Sequence, residues 1–274
     1  MLATRSIARG ELVLAETPIL IVNSYLDEAG LATAVEALDE RGRSAFLALS
    51  NAHPEEPLAG IVKSNALPHG SGEASSGGIY EIGCRLNHSC RPSTNHHFDD
   101  GRGVEVFQAT RAVAAEEELT DYYTFLLKSS EERKADLRER FGFECACEVC
   151  SLPPVELAAS DKRRAAINAT LASIPSLISS PLRIIMKVRQ ALKDLEREGL
   201  VLVQPALAFD AYQVALLYGD VASAREWAKL MVKFHEVADG VDSTKCAEAR
   251  EVVEADPRKD PRFGKYGRKS VGGP

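Results

Sequence analysis

The sequence predicts an α+β fold in two parts: small β-sheets with a helical insert, followed by an all-α C-terminal region. Three observations predict it. Short β-prone runs broken by glycine turns occupy most of the first 127 residues, whereas beyond Pro153-Pro154 the apolar residues recur every three or four positions. Between these regimes lies a cysteine cluster, Cys145-Ala146-Cys147-Glu148-Val149-Cys150.

The totals narrow the function classes. The chain has 274 residues, 45% hydrophobic and 27% charged, the composition of a globular protein with a real core. Its net charge of -7 argues against nucleic acid as a partner and suits a basic protein substrate. No run approaches the roughly 18 apolar residues of a membrane span, and the N-terminus lacks a signal-peptide layout. The expected setting is therefore a reducing one, nucleus or cytoplasm, with a monomeric protein. There the six cysteines read as metal ligands or buried apolar groups, Cys84 and Cys246 being left over.

Leu2 to Ile21 reads as a hairpin turning at Arg9-Gly10, with Pro18 closing its second strand. Leu31, Val35 and Leu38, then Phe46 and Leu49, predict two amphipathic helices separated by polar Asp39 to Ser44. His69 to Gly78, rich in Gly and Ser, reads as a flexible surface loop. Thr94–Phe98 and Val104–Ala109 predict strands joined through Asp99-Asp100-Gly101-Arg102-Gly103. A helix starts after a capping Ser130.

Past Pro154, stripes such as Ile184, Val188, Leu192 and Leu195 predict five or six helices in antiparallel pairs, with Gly199, Gly219 and Gly240 between them. Tyr212 to Phe234 resembles one tetratricopeptide-type hairpin, so the region reads as TPR-like. Arg258 to Lys269 is basic and poor in apolar residues, which predicts a disordered tail.

C-x-C-x2-C supplies three of the four thiolates of a tetrahedral zinc site, so a fourth ligand must come from elsewhere. Cys90 is the candidate, with His96 and His97 as rivals. A closed four-thiolate site leaves no open coordination position and is structural.

Asn87-His88-Ser89-Cys90, then Glu118-Leu119-Thr120-Asp121-Tyr122-Tyr123, then Phe143-Glu144-Cys145 with its following cysteines, together resemble the SET-domain protein-lysine methyltransferases with a post-SET zinc motif. The nearest subgroup is the SET-and-MYND proteins, to which Ser130-Glu131-Glu132-Arg133 and Phe141-Gly142-Phe143 are also similar. The resemblance implies S-adenosylmethionine as methyl donor and zinc as a structural metal. By the same resemblance Tyr123 is the catalytic tyrosine, with Tyr122 its runner-up. His88 contacts the adenine through its backbone, Asn87 lies near the methionine part, Phe143 stacks on the base, Asn65 reaches the cofactor and Phe141 walls the lysine channel.

The chain departs from the family pattern at several points. Residues 23–60 contain no cysteine where the subgroup carries its MYND finger, Ser93 stands where an Asn is usual, and Cys84 replaces a small residue. The Gly-x-Gly loop that precedes the first strand would fall before Met1, which is expected to leave the chain abbreviated or its donor site incomplete. The expected layout is a SET domain over 1–127 with its helical insert at about 23–60, a post-SET zinc segment over 128–152, a helical TPR-like domain over 153–256 and the tail over 257–274. The expected function is methyl transfer from S-adenosylmethionine to a lysine of a histone or other protein. The alternative is an inactive SET-like scaffold that binds partners through its helices.

Overall fold

The β-prone runs form three small sheets in the computed structural model, which describes residues 1–23, 27–70 and 76–274. β1 (Leu12–Glu16) and β2 (Leu20–Asn23) lead into α1 (Glu28–Glu36), α2 (Glu40–Leu47) and α3 (Ala59–Asn65). β3 (Leu67–His69), β4 (Ser76–Ile79), β5 (Asn87–His88), β6 (Thr94–Asp99), β7 (Val104–Ala109) and β8 (Thr120–Asp121) follow. The sheets have the orders β1-β7-β6 and β2-β4-β3, both antiparallel, and β5-β8, which is parallel.

The parallel pair matters most for function. It sets Asn87 beside Thr120 and His88 beside Asp121, joining two motifs some thirty residues apart. Parallel strands need a long crossover, which the β6–β7 hairpin and residues 110–119 supply. Asp99 starts that hairpin's turn, its carbonyl accepting the amides of Arg102 and Gly103 at 3.1 and 2.8 Å.

Several expectations need correcting. The chain does turn at Arg9-Gly10, where Gly10 has φ +79°, but its two flanks do not pair with each other. Ile7 bridges to Val113 and β1 pairs with β7, because alternation marks a strand without naming its partner. The expected separator Asp39 to Ser44 is mostly helix: only 37–39 lie between α1 and α2, and Asp39 caps α2, its Oδ1 accepting the Gly42 amide at 2.7 Å. His69 and Ser76–Gly78 lie in paired strands, and of the expected loop only 71–75 lie outside the described residues. Glycine is required at 78 by packing, since a Cβ there would sit 2.5 Å from the Tyr80 hydroxyl.

α4 (Ser130–Phe141) is capped by Ser129 rather than Ser130, in a capping box with Glu132. Ser130 instead donates its hydroxyl to Asp161 at 2.6 Å, which ties α4 to α5 (Pro154–Ser173). α6 (Pro181–Glu198), α7 (Gln204–Leu217), α8 (Val221–Ala238) and α9 (Thr244–Glu254) complete the helical region. α7 and α8 form a hairpin through Gly219, at φ +63°, around the fully buried Trp227. Leu126 and Leu127, at the end of the β-rich part, belong to this helical core, so the two parts interlock.

Residues 257–274 are held, not disordered. Where α7 ends, the carbonyls of Leu216, Leu217 and Tyr218 accept the amides of Gly264, Tyr266 and Lys269 at 3.0 Å. Gly272 accepts the indole N–H of Trp227 at 3.0 Å, and Val271 is buried. Composition predicts how much core a segment brings, and not whether a helix end offers it acceptors.

A buried ionic strut joins the two parts. Arg164, fully buried on α5, donates to Glu198 at 2.9 Å, to the Leu126 carbonyl at 2.6 Å and to the Cys90 carbonyl at 3.0 Å. Replacing Arg164 by Met leaves the Leu126 and Cys90 carbonyls without their donor and removes one of three partners of the buried Glu198 carboxylate, which keeps Arg163 and Ser160, both at 2.6 Å. Urea denaturation is expected to record a loss of about 3–5 kcal/mol.

Candidate active site

Four side chains converge at the end of α4. Phe141 is its last residue, and Gly142 follows at φ +70° with nothing within 4 Å of where its Cβ would sit. This left-handed cap reverses the chain, so Phe141 and Phe143 both line one hollow. The Tyr123 ring lies 4.8 Å from Phe141 and 6.4 Å edge-on from Phe143, with His88 5.5 Å away. The hollow, of about 440 Å³, is also lined by Asn65, Cys84 and Asn87.

Hydrogen bonds fix most of these groups. The Tyr123 hydroxyl donates to the Leu86 carbonyl at 2.5 Å, and its amide donates to His88 Nδ1 at 3.0 Å. His88 therefore carries its proton on Nε2, which faces Cys90 Sγ at 3.4 Å. Burial lowers its pKa to about 4 and keeps the ring neutral. Burial, with help from the nearby Asp121 carboxylate, pushes the Tyr123 phenol up to about 12. Asn65 spends its amide N–H groups on the Ser50 and Ile61 carbonyls, both at 2.7 Å. Asn87, exposed at the rim, donates to Glu118 at 2.7 Å.

A second, wider hollow of about 1080 Å³ adjoins the first. It shares Ser64, Asn65, Cys84, Tyr123 and Phe141 with the first. Tyr123 thus stands where two cavities meet, the arrangement needed to bring two reactants together end to end. Tyr122 lines only the wider one, half-buried 5.0 Å from the His96 ring.

Cys90, Cys145, Cys147 and Cys150 form one cluster, every sulfur within 4.8 Å of the others. A tetrahedral site with bonds of about 2.3 Å spaces its sulfurs roughly 3.8 Å apart, and Cys90 and Cys150 stand at 3.6 Å. Four thiolates around one dication carry a net charge of minus two, and buried Arg133 meets it, its Nε donating to Cys90 Sγ at 3.2 Å. The chemistry and spacing of this donor set fit zinc. The rival histidines are elsewhere: His96 bonds Glu105 at 2.8 Å, and His97 faces Asp239 at 3.6 Å.

Sequence reasoning assembled the Tyr123, Asn87-His88 and cysteine groups but missed Cys84 as a pocket wall. The Cys84 thiol donates to the Asn65 carbonyl at 3.2 Å. The buried group of Asp121, His96 and Glu105 was missed as well, although Asp121 stands within a quoted motif. A carboxylate two residues from the candidate catalytic tyrosine was the available signal.

Residues 1–124 match the family model described as SET domain. A histone-lysine N-methyltransferase, set5, of Schizosaccharomyces pombe is 32% identical over 261 residues, which cover 93% of this chain and 80% of that protein. The histone-lysine N-methyltransferase SMYD3 of Mus musculus is 40% identical over 73 residues, 27% of this chain and 17% of the relative. A SET and MYND domain-containing protein of Dictyostelium discoideum is 30% identical over 73 residues, 27% of this chain and 21% of the relative.

Proposed function

The chain belongs to the SET-domain protein-lysine methyltransferases, and from that premise we propose that its narrower hollow holds S-adenosylmethionine while its wider one admits a lysine of a histone or another protein. The observation that carries this reading is the position of Tyr123 at the junction of the two cavities. When bound, S-adenosylmethionine supplies a methyl group made electrophilic by its sulfonium.

Phe143 and the backbone of His88 are the proposed adenine contacts, and Asn87 is the proposed contact to the methionine part. The Asn65 amide nitrogen is already committed, which leaves its Oδ1 for the donor. The lysine must arrive as a neutral amine aligned with the methyl carbon, although free lysine has a pKa near 10.4. The Tyr123 proton is held by Leu86, so its oxygen lone pairs are free to accept from the amine and orient it. With a pKa of about 12 the phenol stays protonated at neutral pH and orients the amine without acting as its base. Phe141 forms the aromatic wall of the channel, worth on the order of 0.5–2 kcal/mol through cation–π attraction to the positive charge that the nitrogen gains as it takes the methyl group.

Zinc at the four cysteines would clamp the segment carrying Phe143 against the Asn87-His88 strand. No helix among the described residues is long and apolar enough to cross a membrane. We propose a monomer working in nucleus or cytoplasm.

Calorimetric titration of S-adenosylmethionine into zinc-replete protein tests the donor site. Saturable one-to-one binding is expected, and Phe143→Ala is expected to weaken it about tenfold through lost stacking. An absence of binding would sink the donor site and favour the scaffold alternative.

A further inference from the structure

Beneath the wider hollow lies a buried polar group that methyl transfer at Tyr123 does not use. Asp121 is 2% exposed and lines the hollow, yet its Oδ1 has no hydrogen-bond partner. Its Oδ2 lies 3.7 Å from His96 Nε2, and His96 Nδ1 meets Glu105 at 2.8 Å. Glu105, itself fully buried, also accepts the Tyr80 hydroxyl at 3.2 Å.

Counting charge, two carboxylates face one imidazole. Burial opposes charge on His96, but Asp121 and the Glu105 hydrogen bond outweigh it and raise its pKa. Even with His96 protonated, the group carries one uncompensated negative charge. Burial lifts the Asp121 pKa only to about 6, so the carboxylate is ionised at pH 7.4. A buried anion with an unpaired oxygen is costly unless a donor reaches it, and the open space that Asp121 lines is this hollow.

Two cations among the described residues line the hollow, and each has a partner, Arg140 within the hollow itself, where its Nη1 also reaches the Tyr123 carbonyl at 3.5 Å. Lys63 pairs with Glu56, while the Arg140 guanidinium lies 5.1 Å over the Phe141 ring. Leu67, Pro68 and Leu86 give the hollow apolar walls, which suit the aliphatic stem of a long basic side chain.

We propose that Asp121, held from behind by His96, is a specificity determinant that takes a second basic side chain of the substrate, an arginine or lysine close in sequence to the methylated one. This rests on the lysine-methyltransferase reading of the Tyr123 junction. An extended peptide advances about 3.3 Å per residue, so positions one to three residues from the target lysine span roughly 3–10 Å, the reach of a neighbouring pocket. Arginine matches best, because its fork can engage a carboxylate through two N–H groups.

The test uses lysine-centred peptides, degenerate at three positions on each side, in which arginine is compared with its neutral isostere citrulline. Binding to the full chain is read by fluorescence anisotropy, and methyl incorporation by radiolabel. Wild-type protein is expected to favour arginine over citrulline at least about tenfold at one flanking position, in binding and in kcat/KM. Asp121→Asn, a near-isosteric change, is expected to reduce that ratio below about threefold. Each enzyme serves as its own reference, so a general loss of activity in the variant does not blur the ratio. Equal use of arginine and citrulline by wild-type protein at every position overturns the inference without any variant. A binding preference with no methyl incorporation supports the Asp121 site and counts against the enzymatic reading. Incorporation without preference does the reverse.

Discussion

Metal-free protein is expected to lose S-adenosylmethionine binding and to melt on the order of 10 °C or more below the zinc-loaded form. The size of the effect follows from what the cluster joins. Cys90 stands two residues after His88, whereas Cys145, Cys147 and Cys150 follow Phe143, so one ion at the cluster would tie together two walls of the proposed donor hollow. Zinc binding to closed cysteine sites is worth roughly 10–16 kcal/mol in small peptides, more than any other single contact in this region can supply.

Arg133 compounds the loss. Its Nη2 has no hydrogen-bond partner, and its Nε is turned to Cys90 Sγ. Once the metal leaves and the thiols reprotonate, that guanidinium is buried against neutral sulfur, with Asp161 at 3.6 Å as its remaining counter-charge. One zinc per chain by elemental analysis is the expected stoichiometry, and Cys90→Ser is expected to reproduce the effects of chelation. Unchanged melting and unchanged donor binding in metal-free protein would remove the cluster from the architecture of the site.

Tyr123→Phe is expected to lower kcat about 10²–10³-fold, the usual effect of removing one oriented hydrogen-bonding group from a reaction centre. Donor affinity should stay within about threefold and zinc content should not change, because the ring keeps its contacts with Phe141 and Phe143. Tyr122→Phe provides the contrast. That side chain lies in the wider hollow beside His96, and its loss of a hydroxyl is expected to change kcat less than about threefold. Single-turnover kinetics on both variants separates the two tyrosines, and a Tyr123→Phe enzyme as fast as wild type would displace the assignment.

Part of this site is legible in the order of residues alone. The four-cysteine cluster is legible because tetrahedral thiolate coordination demands four donors and the chain holds three of them within six residues. Tyr123 and the Asn87-His88 pair stand in motifs whose order and spacing carry the resemblance, and the helices after Pro154 follow from a period of 3.6. Cys90 could be preferred over His96 and His97, although only folding separates them, since β6 turns both rings away from the cluster and toward Glu105 and Asp239.

What the sequence by itself determined is the inventory and the local pattern: which residues can ligate, which stretches are helical, and where glycine turns fall. These depend on interactions within a few residues along the chain, and those are written in its order. Tertiary structure alone decided which strand pairs with which, that 257–274 docks on the open end of α7, and that Asp121 is buried with an unpaired oxygen beneath the wider hollow. Each of these depends on groups tens of residues apart in sequence. Their encounter is selected by burial and hydrogen bonding over the whole fold, which no local pattern records.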